Sequence, residues 1–423
     1  MNTDVSTLVD SAMKSAGAGN WQDAEAQWAE VLKIEPSHTQ ALCSLGIHAL
    51  QRGDVSAALG YLENSRSAAP RDFLTLMTIA AAHRQQKNAN GELEAIDALL
   101  AVDPNFVPAL LAKAKWMELH STPASAAALY RAALLLSPPE RGWPADFRDR
   151  LGEAKNFVHR YSSALMQHLS ARLGPDLQRL PPGLAPKWQE AMAIRAGLAE
   201  PSVSRSNQLH IPRLPAIPFY DRSAFPFLRA IEQRTDVICA ELAKLIESHG
   251  DGFVPYVAYK PGEPVNQWHK LNNSLDWGAF HLWRNGVPIE ENLQHCPETA
   301  RILKSLPLAN IDGLCPNVFF SSLQPKTHIP PHHGESNARL IAHLPLLVPE
   351  GCRFRVGFEE REWKVGQALV FDDTLLHEAV NNSDELRVVL IFDLWNPLLT
   401  DEERVLTSKL AAATREFGRR DSP

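Results

Sequence analysis

Over the first third of the chain, apolar residues recur at spacings of three and four, the period of an amphipathic helix, and the pattern itself repeats. The segments WQDAEAQWAEVLKIEP, VSAALGYLENSRSAAP, GELEAIDALLAVDP and PASAAALYRAALLLSP each end on a proline, at Pro36, Pro70, Pro104 and Pro138, every 34 residues. A fixed period of that size predicts a solenoid of helix pairs in which proline stops the second helix of each pair. One equivalent position holds Ala24, Ala58 and Ala126, residues small enough for paired helices to approach closely, while Glu92 occupies it in the third and least regular unit.

The pattern then changes twice. From Pro138 to about Pro218, PPERGWP, RLPPGLAPKW and HIPRLPAIPFY surround a helical stretch near Phe147 to Leu173, so a helical spacer followed by an extended connection is expected. Beyond it, FPFLRAIEQRTDVICAELAKLIES has helical spacing. Short segments rich in β-branched and aromatic residues follow: NVFFSSLQP, ARLIAHLPLLV, RFRVGF, REWKV, QALVFDD and LRVVLIFDLW. Strands this short and close predict a barrel or sandwich with helices on its N-terminal side. The last segment, TDEERVLTSKLAAATREF, opens on the capping box of Thr400 and Glu403 and predicts a helix.

Composition narrows the class. The chain has 423 residues, too many for one core, and 45% hydrophobic with 22% charged residues is ordinary for a soluble globular protein. A net charge of -7 argues against a general nucleic-acid binder. Without a signal-like start or a long apolar run, a cytoplasmic protein with no membrane partner is expected. Cys43, Cys239, Cys296, Cys315 and Cys352 form no CxxC pair and read as small buried hydrophobes rather than a disulfide or zinc framework.

The repeat period, the alanine position, Gly46 after Leu45 and the terminal prolines together resemble the tetratricopeptide repeat over roughly residues 5–140. That resemblance implies a surface for a peptide or protein substrate or partner, or else a scaffold that only spaces a second domain.

The chemistry lies further on. THIPPHHGESNARLIAHLPL and FDDTLLHEAVNNSDELRVVLIFDLWNP supply a histidine, a second histidine 45 residues on, and an arginine ten residues after that: His332, His377 and Arg387. Two neutral imidazoles can hold iron(II) with open positions, and a guanidinium can take the carboxylate of 2-oxoglutarate bidentately. Two registers are open at this point. His333 and Glu335, at i and i+2 on one strand face, would complete a two-histidine, one-carboxylate triad with His377, whereas His332 has Gly334 as its i+2 partner and leaves the carboxylate out. Asp372 and Asp373 fit turn residues or orienters of an imidazole. Arg387 opens a buried strand and needs an anionic partner, either the cosubstrate or a structural acid. Trp277, Trp283 and Trp395 are candidates to line a cleft.

These segments, with FYDRSAF, FVPY, LDWGAFHLW, CPET, SSLQPKTHI and LWNP, resemble the aspartyl/asparaginyl β-hydroxylases from about Phe219 to Pro397. The family pattern P-H-x-G-x-(T/S)-N-x-R-L-R-x-H falls on Pro331, His332, Gly334, Ser336, Asn337, Arg339 and His343. The resemblance therefore implies His332 and His377 as metal ligands, and Ser321, Arg387 and His343 as contacts to 2-oxoglutarate. Arg339, Trp277 and Trp283 are expected near the substrate. It implies an iron(II)- and 2-oxoglutarate-dependent dioxygenase that uses O₂ to hydroxylate an unactivated C–H bond, on a peptide or protein side chain given the repeats. A halogenase or hydroxylase of a small molecule, or a non-catalytic binding module on the repeat scaffold, is the alternative.

Three positions depart from the family pattern: Ile341 replaces the second arginine, Lys326 a turn glycine, and Asn396 the histidine of W-H-P. Losing the cation at 341 should weaken recognition of an acidic substrate side chain or of the cosubstrate's 1-carboxylate. The expected organisation is multidomain α plus β: residues 1–140 a four-unit tetratricopeptide solenoid, 141–217 a helical and proline-rich connection, and 218–423 an oxygenase domain built on a double-stranded β-helix, or jelly roll.

Overall fold

A computed structural model of the protein describes residues 4–137, 144–181, 184–249 and 252–420. It divides into two compact units, residues 1–181 with 195–198, and residues 182–194 with 199–423.

The first unit is all helix: α1 (Val5–Gly17), α2 (Trp21–Ile34), α3 (Thr39–Gln51), α4 (Val55–Ala68), α5 (Phe73–Gln85), α6 (Ala89–Val102), α7 (Val107–His120), α8 (Pro123–Leu136) and α9 (Ala145–Leu177). First helices of successive pairs start at residues 5, 39, 73 and 107, and second helices at 21, 55, 89 and 123, so the sequence period is kept residue for residue. Pro36, Pro70 and Pro104 follow two residues after α2, α4 and α6, whereas Pro138 lies outside the described residues. Asp54, Asp72, Asn88 and Thr122 cap the helices that follow them, each side chain accepting from the backbone N–H three residues on.

Ala24, Ala58 and Ala126 are fully buried. A methyl group on Gly46 would lie 2.6 Å from Leu62 Cγ, so a side chain at this position of α3 would collide with α4. Glu92, in the alanine position of the third pair, is buried and accepts from Arg84 Nε at 2.6 Å, which offsets the cost of placing a carboxylate there.

The expected connection at 141–217 is divided otherwise. Helix α9 is longer than the expected stretch, and it buries Leu151 and Ala154 against Val107, Leu110 and Tyr130, so it continues the array. Residues 199–217 instead belong to the second unit and join it by backbone bonds: Arg205 N to Thr374 O, Asn207 N to Gly334 O and Gln208 N to Glu335 O, at 2.8–3.0 Å.

The helices that follow are α10 (Ala185–Ala196), α11 (Leu228–Glu232), α12 (Thr235–His249), α13 (Glu290–Leu293) and α14 (Pro297–Lys304), with α15 (Asp401–Arg420) last. The predicted capping box of α15 is present: Glu403 Oε2 accepts from Thr400 N at 2.8 Å, and Thr400 Oγ1 from Glu403 N at 3.3 Å. The strands are β1 (Val254–Pro255), β2 (Trp277–Arg284), β3 (Val287–Pro288), β4 (Val318–Leu323), β5 (Thr327–His332), β6 (Arg339–Leu347), β7 (Cys352–Val356), β8 (Glu359–Arg361), β9 (Leu369–Phe371), β10 (His377–Asn381) and β11 (Arg387–Trp395). REWKV contributes only its first residue to a strand, β8 ending at Arg361.

One antiparallel sheet runs β1-β2-β4-β11-β6-β9 with β3 on β2, and a second runs β5-β10-β7-β8. Phe280, Phe320, Leu344, Leu390 and Phe392 face outward from the larger sheet onto Ile231, Ile238, Leu242 and Leu303 of the helices. Its inward residues, among them Ala279, Phe319, Ile341, Val389 and Ile391, meet Ile329, Phe354, Val356 and Ala379 of the smaller sheet. Burial on both faces explains why β4, β6 and β11 read as nearly unbroken apolar runs. Pro330 and Pro331 are tolerated because β5 is an edge strand.

Candidate active site

Strand alternation selects the side chains that enter the space between the sheets, and two bulges alter the selection. β10 pairs with β5 so that Ala379 faces Ile329 and His377 faces His332: two residues of one strand span three of the other. Strict alternation from Ile329 would turn His333 inward; the extra residue at Pro330–Pro331 turns His332 inward instead. The His332 and His377 rings lie 4.0 Å apart between centroids. The other bulge, in β2, lies between His281 and Trp283. Trp277 therefore faces the cleft, whereas Trp283, six residues on and expected beside it, packs with Phe280 and Leu282 into the core under the helices. Trp395 packs beside Leu399 and Ile311, away from the cleft.

The two imidazoles are oriented alike. His332 Nδ1 bonds Pro330 O at 2.8 Å and His377 Nδ1 bonds Leu375 O at 3.0 Å, so each Nδ1 carries the hydrogen and each Nε2 keeps a free lone pair. Burial, with the neighbouring imidazole adding to it, pushes His332 down to about 3, and burial pushes His377 down to about 4. Both are neutral at pH 7, the form that ligates a metal. His333 bonds Thr374 O through Nδ1 at 2.7 Å, and Glu335 accepts from Gln208 Nε2 at 2.9 Å and pairs with Arg339 at 3.1 Å. Among the described residues, no group of three or more His, Cys, Asp or Glu side chains is arranged to hold a metal.

Gly334 is constrained by what stands beside it. A Cβ there would lie 1.9 Å from Asp373 Oδ2, so the Asp373 carboxylate fills the space in which a side chain at 334 would begin. Arg339 holds it, Nη1 donating to Asp373 Oδ2 at 2.8 Å, with Glu335 at 3.1 Å and Asp393 at 3.5 Å from its other nitrogens. Arg339 was expected at the substrate; it lines the cavity, but three carboxylates engage its guanidinium. Asp372 is a turn residue, accepting from Thr374 N at 2.9 Å, and burial raises it to about 6.

At the other end of the cavity Arg387 is fully buried. Its Nη1 donates to the Ser321 carbonyl at 3.2 Å, its guanidinium carbon stands 4.8 Å from the Trp363 ring centre, and its Nε has no partner. Burial draws it down to about 10, and no ion pair among the described residues neutralises it. Ser321 Oγ accepts from Trp277 Nε1 at 3.2 Å, which leaves its own hydroxyl hydrogen to donate. His343 accepts from Trp363 Nε1 at 3.3 Å, and burial beside Arg387 drives it well below the usual imidazole range.

Ser321, His332, His343, His377 and Arg387 line one cavity of about 940 Å³, together with Trp277, Arg339 and Ile341. Four residues at or beside the cavity had no signal in the sequence. Trp363 underlies Arg387, Asn207 and Gln208 reach the rim from the segment expected to be a connection, and Trp268 stands edge-on to His332 at 5.0 Å. The departures are accommodated in the fold. Ile341 is an apolar part of the wall, and Lys326 holds the left-handed φ of 58° that suits the family glycine. Asn396 donates to Tyr220 Oη at 3.1 Å and Asn337 O at 3.0 Å.

Residues 232–397 match the family model described as aspartyl/asparaginyl beta-hydroxylase. The human aspartate beta-hydroxylase domain-containing protein 2 is 32% identical over 51% of this chain and 60% of its own length. Human aspartyl/asparaginyl beta-hydroxylase is 29% identical over 55% of this chain and 29% of its own. The ornithine lipid ester-linked acyl 2-hydroxylase of Rhizobium tropici is 32% identical over 51% of this chain and 74% of its own. Among solved structures, a tetratricopeptide repeat protein from Parabacteroides merdae is 14% identical over 46% of this chain and 74% of its own, with a TM-score of 0.32. The chain thus spans only part of the length of the relatives it matches first, but covers nearly three quarters of the bacterial one at 32% identity. With its helix pairs at the N-terminus and this site between two antiparallel sheets, the chain belongs to the aspartyl/asparaginyl β-hydroxylase family.

Proposed function

We propose that the protein is an iron(II)- and 2-oxoglutarate-dependent dioxygenase that hydroxylates an unactivated C–H bond, its target a side chain of a peptide or protein. The observation that carries the reading is the content of one cavity: two neutral imidazoles with free Nε2 lone pairs at one place, and a buried arginine without an anion at another. The donor set suits iron(II), since His332 and His377 would supply two nitrogen ligands and leave the remaining positions to cosubstrate, O₂ and water. Bound iron would supply oxidative decarboxylation of 2-oxoglutarate to succinate and CO₂, with hydroxylation as the outcome.

The chain's own residues do the rest. Arg387 and the Ser321 hydroxyl would clamp the distal carboxylate of 2-oxoglutarate, and burial strengthens that charge-assisted pair. Backbone carbonyls fix both histidines in the ligating tautomer. Asp373, held by Arg339 against Gly334, would orient water where other such enzymes place a carboxylate ligand. Trp277 and Trp268 wall off one side and limit solvent.

A second reading, hydroxylation of an acyl chain or other small molecule, draws on Ile341. An apolar residue in the cavity wall where the family pattern has arginine favours an uncharged target group over a carboxylate. The Rhizobium relative is named for acting on a lipid acyl chain.

Anaerobic iron(II) titration, followed by assay of succinate and of product mass, tests both. His332→Ala and His377→Ala are expected to abolish iron binding and turnover, whereas His333→Ala and Glu335→Ala leave iron binding largely intact. The reverse result would restore the His333–Glu335 triad. Incorporation of one oxygen atom into peptides separates the first reading from the second, which predicts it in acyl substrates.

A further inference from the structure

The two proposed ligands stand where a strand ladder ends. His332 is the last residue of β5 and His377 the first of β10, and they form the terminal pair of that ladder. His377 is also paired on its other side, to Val356 of β7, but β5 is an edge strand whose Pro330 and Pro331 have no backbone N–H to donate. Ladder ends open most readily, whereas a metal site tolerates only small displacements of its ligands. The turn that follows His332 therefore needs a further hold on the turn that precedes His377.

Residues 204–211 reach both turns. Toward the first, Asn207 N donates to Gly334 O at 2.9 Å, Asn207 Nδ2 to His333 O at 2.6 Å, and Gln208 N and Leu209 N to Glu335 O at 3.0 and 3.1 Å. Gln208 Nε2 donates to Glu335 Oε1 at 2.9 Å, and the Asn337 side chain exchanges two bonds of 2.8 Å with the backbone of Ile211. Toward the second turn, Arg205 N donates to Thr374 O at 2.8 Å, and Ser204 Oγ lies 2.6 Å from Thr374 Oγ1. Thr374 gives its single hydroxyl hydrogen to Asp372 Oδ1, so Ser204 is the donor of that bond. The turns also meet directly, Gly334 N donating to Asp373 O at 2.6 Å and His333 Nδ1 to Thr374 O at 2.7 Å. One short segment thus grips both ligand-bearing turns from outside the sheet, close to the point where the ladder stops.

We propose that residues 204–211 are a positioning strap for the metal site, in which Ser204 and Asn207, acting through Thr374 and His333, hold His332 and His377 at the separation a shared ion requires. The proposal rests on the reading of those two histidines as ligands. Anaerobic titration of the full chain with cobalt(II) chloride, followed by its visible absorption, tests it without turnover. Ser204→Ala with Asn207→Ala is expected to weaken cobalt binding by about tenfold or more and to alter the absorption of the bound ion, the usual result of removing the outer partners of metal ligands. Ser204→Thr, which keeps the hydroxyl, and Val203→Ala, at an exposed neighbouring position, are expected to bind cobalt as the wild type does.

Calorimetry of the ligand-free chains separates positioning from stability alone. A double variant that melts lower but binds cobalt within about threefold of the wild type would show a strap that only stabilises the unit, and would overturn the proposal. So would a Ser204→Thr variant that binds as weakly as Ser204→Ala. Should the double variant fail to fold, Ser204→Ala and Asn207→Ala singly carry the same comparison, since neither side chain is buried. A wild type that takes up no cobalt overturns the iron reading and this proposal with it. A wild type that binds cobalt through His332 and His377, with strap variants that bind it equally well, overturns this proposal alone.

Discussion

A guanidinium sealed between two sheets without a carboxylate is costly, and Arg387 is in that position. Its folded value, near 10, lies below its ordinary 12.5, so the unfolded chain holds the proton more firmly. For a cation this sign means destabilisation at neutral pH, relieved only as pH rises past about 10. Arg387→Met should therefore raise the melting temperature of the ligand-free protein, by about 1–3 kcal/mol of stability, because a buried unpaired charge is replaced by an apolar chain of similar length. Loss of 2-oxoglutarate affinity should accompany it, by a hundredfold or more. Calorimetry together with cosubstrate titration checks both; a variant less stable than the wild type would mean that the Ser321 and Trp363 contacts already compensate the charge. His332, His377 and Arg387 were legible because their order along the chain is distinctive. What alternation could not tell was which residues point inward next to a bulge, and the bulges at Pro330–Pro331 and at 281–283 set His332 opposite His377 and turned Trp283 into the core.

The repeat was the most readable element, because each helix pair is specified locally by its caps, its terminal proline and its small residues. Gly46 shows how tight that specification is. Helix propensity alone favours Gly46→Ala by about 1 kcal/mol. The new methyl would stand 2.6 Å from Leu62 Cγ and 2.8 Å from Leu62 Cδ2, and overpacking of that kind costs about 1–3 kcal/mol. The clash outweighs the propensity, so Gly46→Ala is expected to lower stability by about 1 kcal/mol, and Gly46→Ala with Leu62→Ala should remove the clash while opening a cavity. Urea unfolding of the wild type and the two variants checks it, and a more stable Gly46→Ala would mean that the α3–α4 spacing relaxes freely. The segment 199–217 was unreadable for the opposite reason. Its partners Thr374, Gly334 and Glu335 are more than a hundred residues away and bond through their backbones, so its own proline-rich composition says only that it is irregular.

At the scale of the molecule, each unit carries its own core: Ala58, Leu62, Ile79 and Ile96 are typical of one, Phe320, Leu390, Phe354 and Ile391 of the other. The histidines and Arg387 all belong to the second unit. Ligand binding stabilises what it binds by mass action, about 2.7 kcal/mol at a free concentration a hundred times the dissociation constant. If the helical array and the two-sheet unit unfold separately, calorimetry should resolve two transitions. A redox-inert divalent metal with 2-oxoglutarate should then raise one of them and leave the other in place. The transition that moves should stop responding to 2-oxoglutarate in Arg387→Met and to metal in His332→Ala, which identifies it as the two-sheet unit without any measurement of turnover. A single transition that shifts as a whole would mean that the two cores unfold together, and then the repeats would report on the state of the active site whether or not they hold the substrate.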